Sequence, residues 1–291
     1  MANAPPTMKM MTIKRVIVAT LALAACAPPA QPAAQQSENT ALGAPTGQWR
    51  LPDSLREISG LAVSANDRLF AHNDEIAVIY EIDPRDGRLV KAFALGQPPQ
   101  TGDFEGLAIA PDGAFWMTTS QGQLYSFREG EDGAGVTFQT FDTGLANVCE
   151  VEGLAYLASE QSLILACKRN EARDMRDQIS LYAWRPGDGA GHVWATLPEA
   201  DVAARAGVRR FRPSSLDVDT RTGRILMLSA FDGAIAELGP NGELVNAAAL
   251  TGEHVQAEGV AMLSDGSVVI ADEAGGRGRR ALLSVYPGFG P

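Results

Sequence analysis

Residues Asp103–Thr119 read DFEGLAIAPDGAFWMTT. A glutamate and a glycine lead into a short apolar run. Pro-Asp-Gly interrupts it, and a second apolar run ends on threonines. Two apolar runs joined by a tight Asp-Gly turn are the signature of a β-hairpin. The layout returns as EVEGLAYLASEQSLILAC from Glu150 and as QAEGVAMLSDGSVVIAD from Gln256. Two looser copies are EISGLAVSANDRLFAHNDE from Glu57 and RPSSLDVDTRTGRILMLSAFDG from Arg212. Spacings are roughly 45 residues, stretching to roughly 60 after the third copy.

Further strand-like runs follow each hairpin: IAVIYEID, GQLYSF, ISLYAW, GAIAEL and ALLSVY. A unit of this length therefore holds about four strands, and four-stranded units repeated at this period are β-propeller blades. The sequence predicts an all-β propeller of five blades. A β-sandwich with accidental similarity explains neither the phase nor the repeated Gly-Leu-Ala. The last copy lacks a fourth strand, whereas GQWRL from Gly47 stands as an orphan before the first. Pairing the two termini would close the ring and remove its exposed edges. A sixth blade would have to hide in the long third unit. LPEADVAARAGVRR from Leu197 has helical composition instead and reads as an inserted helix.

The N-terminus is of another kind. Lys14 and Arg15 precede an apolar run from Val16 that is short for a membrane span and ends in Leu23-Ala24-Ala25-Cys26. The last four residues resemble the lipobox of bacterial lipoproteins, which implies lipidation of Cys26. The alternative is an ordinary secretory signal with a chance cysteine. The expected organisation is a signal peptide over 1–25, a Pro/Ala/Gln-rich tether over 26–47 and the propeller over 48–291. Ala27 favours an outer-membrane anchor facing the periplasm, by the sorting rule that the lipoprotein resemblance implies. Cleavage before Cys26 removes three cationic residues and no acids, taking the net charge from −11 to −14. So acidic a chain repels nucleic acid and suits a cation or a basic partner. Cys149 and Cys167 either form the disulfide that an oxidising compartment permits or remain two small buried thiols.

The succession of ISGLAV, FEGLAI, VEGLAY, PSSLDV and AEGVAM, each with its second strand, resembles the SdiA-regulated family from about Glu57 to the C-terminus. The resemblance implies a small exported or membrane-tethered propeller with a calcium site and a link to calcium responses. It attaches no firm enzymatic activity. The chain departs from the family pattern at Lys168-Arg169-Asn170 and at Ser229-Ala230-Phe231, where an acidic residue is often expected.

The first strand of each blade lines the central channel, so equivalent residues form rings. The column before Gly-Leu-Ala holds Ser59, Glu105, Glu152, Ser214 and Glu258, and Glu57 and Arg212 lie two positions upstream. Three carboxylates converging on one axis repel one another, so they require a cation, a partner such as Lys168 or Arg212, or protons. All-oxygen ligands suit calcium, with Asp74 and Asp272 at the hairpin ends as further candidates. The alternative has Glu105, Glu152 and Glu258 bonding backbone amides of the next blade to fix its register. His72, beside Asn73 and Asp74, is the candidate base, against a plain surface or half-buried histidine. RAGVRRFR from Arg205 is a basic island, either a solvated face or a phosphate or partner contact. The expected function is a membrane-anchored periplasmic binding module holding calcium. The alternatives are a calcium-dependent phosphoesterase or lactonase, and a scaffold for envelope proteins.

Overall fold

Runs such as Leu163–Cys167 are apolar at every position, the pattern of strands covered on both faces. The computed structural model describes residues 1–4, 42–276 and 278–289. The chain divides into two units, Met1–Ser37 and Glu38–Pro291. Cys26 and nearly all of the expected signal peptide and tether lie outside the described residues, and the second unit is the subject from here on. No helix among the described residues is long and apolar enough to cross a membrane.

A first strand, β1 (Gly47–Arg50), precedes blade I, which is β2 (Ile58–Val63), β3 (Leu69–Asn73), β4 (Val78–Asp83) and β5 (Arg88–Leu95). Blade II is β6 (Phe104–Ile109), β7 (Ala114–Thr119), β8 (Gln123–Arg128) and, after a two-residue β9 (Gly135–Val136), β10 (Phe138–Asp142). Blade III is β11 (Cys149–Leu157), β12 (Ser162–Asn170), β13 (Gln178–Trp184) and β14 (His192–Pro198). The inserted helix α1 (Glu199–Ala206) follows it. Blade IV is β15 (Ser215–Val218), β16 (Ile225–Ser229), β17 (Ala234–Leu238) and β18 (Leu244–Ala249). Blade V is β19 (Ala257–Met262), β20 (Val268–Asp272), β21 (Leu282–Tyr286) and then β1. The expected closure is present: β1 pairs antiparallel with β21, from Gly47 opposite Val285 to Arg50 opposite Leu282. The short β9 extends blade I in parallel alongside β5.

The inner strands neighbour one another in a closed cycle, β2, β6, β11, β15, β19 and back to β2. The glycine after the column residue follows from that approach. A Cβ on Gly106 would stand 2.8 Å from the Leu154 backbone nitrogen, and one on Gly153 would stand 3.1 Å from that of Leu216. Only glycine allows the backbones so close.

The core lies between blades. Phe70, Phe93, Phe115 and Phe127 fill the seam of blades I and II, and Trp116, Phe141 and Trp184 that of II and III. Helix α1 buries Val202, Ala203 and Ala206 against blades III and IV and ends at Gly207, whose φ of 71° is left-handed. Beyond it Phe211 is fully buried, which fixes the exposed Arg209 and Arg210 on one side of it and Arg212 on the other. Cys149 and Cys167 form a disulfide with a Cα separation of 5.7 Å, resolving the open alternative. Bulges beside Val151 bring the two offset positions together.

Candidate functional site

The column residues sit at the inner-strand starts, and their partners differ blade by blade. In blade III, Glu152 accepts a hydrogen bond from Lys168 Nζ at 2.8 Å. In blade V, Glu258 accepts from Gln256 Nε2 at 3.0 Å, and the same amide donates to Glu273 at 2.6 Å. In blade II, Glu105 has one side-chain partner among the described residues, the Ser59 hydroxyl of blade I at 3.3 Å.

The three carboxyls are therefore poorly compensated. Burial, then the charges of Glu152 and Asp103, pushes Glu105 up to about 9. Burial raises Glu152 to about 7 against the pull of Lys168, and burial raises Glu258 to about 7 against Gln256 and Lys168. Lys168 feels burial as a downward pull, yet Glu152, Glu258 and Glu150 outweigh it and hold its pKa above the usual value. One ammonium serves three carboxyls, of which Glu152 is buried and Glu105 and Glu258 are half-buried, so the raised pKa values favour protonation over charge.

The alternative role for these glutamates, bonding the next blade's backbone amides, falls to other groups. Asp74 O accepts from Phe104 N–H at 2.7 Å, and Ser120 O from Val151 N–H at 2.8 Å, so main chain ties blades I to II and II to III. Between blades IV and V side chains make the ties, and the sequence reading missed two of them. Ser214 Oγ donates to Ala257 O at 2.9 Å, Ser215 Oγ accepts from Val260 N–H at 3.1 Å, and Asp217 Oδ2 accepts from Met262 N–H at 2.6 Å. Burial pushes Asp217 up to about 7. Ser215 stands where the other blades have the glycine, so the legible signal was the break in the repeat.

Two expected ligands differ sharply. Asp272 is buried and fully used: its Oδ1 accepts from Val255 and Gln256 N–H at 2.9 and 3.2 Å, and its Oδ2 meets His254 Nδ1 at 2.8 Å. His254 Nε2 lies 2.6 Å from the Tyr286 hydroxyl, so Asp272 belongs to a latch within blade V. Asp74 keeps a buried Oδ1 with no partner, and burial followed by the charges of Glu57 and Glu75 raises its pKa. Glu57 and Asp74 also act together on Glu273, so the blade I and blade V ends of the mouth form one acidic rim. Among the described residues, no three His, Cys, Asp or Glu side chains converge as a site that could hold a metal ion.

His72 does not open on the channel. It is completely buried, its Nδ1 lies 2.9 Å from Asn73 O, and burial lowers its pKa to about 4. Its Nε2 rests against Gly60, where a Cβ would stand 2.5 Å away. Neither the catalytic base nor the surface or half-buried histidine matches this environment, because strand β3 turns the side chain into the interior against Gly60.

Beside the column opens a cavity of about 820 Å³ lined by Lys168, Arg209, Arg210, Arg212, Ser214, Ala230, Phe231, Val255, Gln256 and Glu258. Three residues from the expected channel set, Lys168, Arg212 and Ser214, thus meet the basic island and Glu258 in one place. Arg209, Arg210 and Arg212 have no carboxylate within ion-pair distance among the described residues, whereas Lys168 is taken by Glu152. Phe231 and Val255, exposed at 78% and 42%, form an apolar lip.

The SdiA-regulated family model matches residues 46–276. The chain belongs to the SdiA-regulated family. No curated protein matches it in sequence. Among solved structures it is similar to the glutaminyl cyclase of Myxococcus xanthus, at 13% identity and a TM-score of 0.53, over 83% of this chain and 94% of that one. It is also similar to the PQQ-bound aldose sugar dehydrogenase of Streptomyces coelicolor, at 15% identity and a TM-score of 0.50, over 86% and 96%. The gluconolactonase XC5397 of Xanthomonas campestris follows at 20% identity and a TM-score of 0.45, over 79% and 72%. At these identities the likeness extends to the fold alone.

Proposed function

We propose that this SdiA-regulated propeller is a binding module of the cell envelope, lipid-anchored through Cys26 in the outer membrane, facing the periplasm and taking its ligand at the channel mouth. The observation that carries the reading is the convergence of the column with the cavity. Glu152 is buried, Glu105 and Glu258 are half-buried, all three are undercompensated, and Glu258 also lines a space of about 820 Å³. That volume suits a small molecule, and polar groups from several blades reach it.

Calcium is the proposed ion of this module. The donors are right in kind, being hard oxygens without a soft competitor. They do not fit in place, since Lys168 holds Glu152, Gln256 holds Glu258 and Asp272 is spent on the latch. The rim carboxylates Glu57, Asp74 and Glu273 do not converge as a ready-made metal site either, and the rim supports the reading only through Asp74 Oδ1, which has no partner among the described residues. Calorimetry with calcium chloride on the purified chain tests the ion. Heat of binding that disappears in an Asp74→Asn/Glu273→Gln variant supports the rim. No heat, together with a melting temperature indifferent to EDTA, overturns the calcium reading.

A second reading is a hydrolase of phosphate esters or lactones. The observation favouring it is a carboxyl with a pKa near neutrality, Glu258, beside a cluster of cations. A group so poised can carry a proton in either direction. Turnover of p-nitrophenyl phosphate or gluconolactone that is lost in Glu258→Gln would move the protein from binder to enzyme.

A further inference from the structure

The basic island is the part of the mouth that a cation-binding module leaves without work. Helix α1 ends at Gly207, and the buried Phe211 pins the following segment so that Arg209, Arg210 and Arg212 all line the cavity. Three guanidiniums without carboxylate partners among the described residues, on a chain whose net charge is −11, are a local reversal of the protein's field. Guanidinium forks match the oxygens of carboxylates and phosphates. Phe231 and Val255 expose apolar surface in the lining of the same space. The volume admits a small molecule, while the overall negative charge disfavours an acidic macromolecule.

We propose that this cavity binds a small organic anion, its carboxylate or phosphate held by Arg209, Arg210 and Arg212 and its apolar portion seated on Phe231 and Val255. The proposal rests on the channel-mouth reading and names its ligand class.

The test is calorimetry on the full-length chain in detergent with phenyl phosphate, benzoate, inorganic phosphate and acetate as probes. Phenyl phosphate or benzoate should bind about tenfold more tightly than its simple counterpart, and which of the two binds identifies the acid group. Phe231→Ala should erase the tenfold difference and leave inorganic phosphate or acetate unchanged. Arg209→Gln/Arg210→Gln, two exposed positions away from the core, should weaken every anion at least tenfold. Equal affinity for aromatic and simple anions overturns the apolar seat. Unchanged binding in the double arginine variant overturns the proposal. If calcium binds and no anion does, this inference fails while the module stands, whereas anion binding without calcium leaves this inference and removes the ion.

Discussion

Blade IV and blades II and III carry the same column position to opposite ends. In blade IV the residues Ser214, Ser215 and Asp217 are spent on the backbone of blade V, through Ala257 O, Val260 N–H and Met262 N–H. Between blades I and II and between II and III, main chain already makes inter-blade ties, and Glu105 and Glu152 are left toward the channel with one hydroxyl and one ammonium between them. The repeat therefore supplies a position, and the blade decides whether it serves structure or is held in reserve for chemistry. A carboxyl left undercompensated costs stability, which a protein retains at sites of function more readily than elsewhere.

The largest expected effect comes from untying the reserve side. Cys149→Ala/Cys167→Ala removes a link closing an 18-residue separation between the two strands that carry Glu152 and Lys168. It should lower stability by about 3 kcal/mol in urea unfolding. An equally stable variant would mean that pairing of β11 with β12 alone holds the geometry.

Next in size is the structural side. Asp217→Ala strands the Met262 N–H and should cost about 2 kcal/mol, whereas Asp217→Asn, which keeps an acceptor, should recover a large part of it at pH 8. If the two variants unfold alike, the side-chain tie is not what joins blades IV and V.

The pH response comes third. Glu105, Glu152 and Glu258 have folded pKa values above the unfolded carboxylate range, so the folded state holds more protons and stability falls as pH rises. Each contributes up to about 1.4 kcal/mol per pH unit while it titrates. His72, lowered to about 4, acts the other way below about 6.5, and Glu152 and Glu258 finish titrating by about pH 8, so the clean window is pH 8 to 9, where Glu105 is the one of these groups still titrating. Thermal melts should fall across that window in the wild type and level off in Glu105→Gln. A wild-type profile that stays flat would show the ring to be compensated.

The smallest effect belongs to Ser59→Ala, which removes the single hydroxyl facing Glu105. At 3.3 Å that contact should be worth about 0.5 kcal/mol, read from the midpoint of the same melts at pH 5. A loss of several kcal/mol would make Ser59 a blade-to-blade tie and erase the contrast with blade IV.

The five-bladed fold, the closure by Gly47–Arg50 and the inserted helix were legible in the residues, because hairpin turns and apolar runs are local and recur in phase. Even the Glu-Gly pair gave up half its meaning, since the glycine answers a backbone approach that every propeller centre imposes. The fates of Asp272, His72 and the arginines were not legible. Asp272 looks like Asp74 along the chain, yet His254 and two amides consume it, while Asp74 keeps a bare oxygen. Arg209 and Arg210 read either as a solvated face or as a phosphate or partner contact, and only the burial of Phe211 places them on the cavity that also holds Lys168 and Glu258. The amino-acid sequence determined the strands and their ring, because periodic burial is written position by position. Which carboxyl stays unpaired was decided only by tertiary structure, because its partners come from other blades and other loops, and a hydrogen bond depends on ångströms that no spacing records.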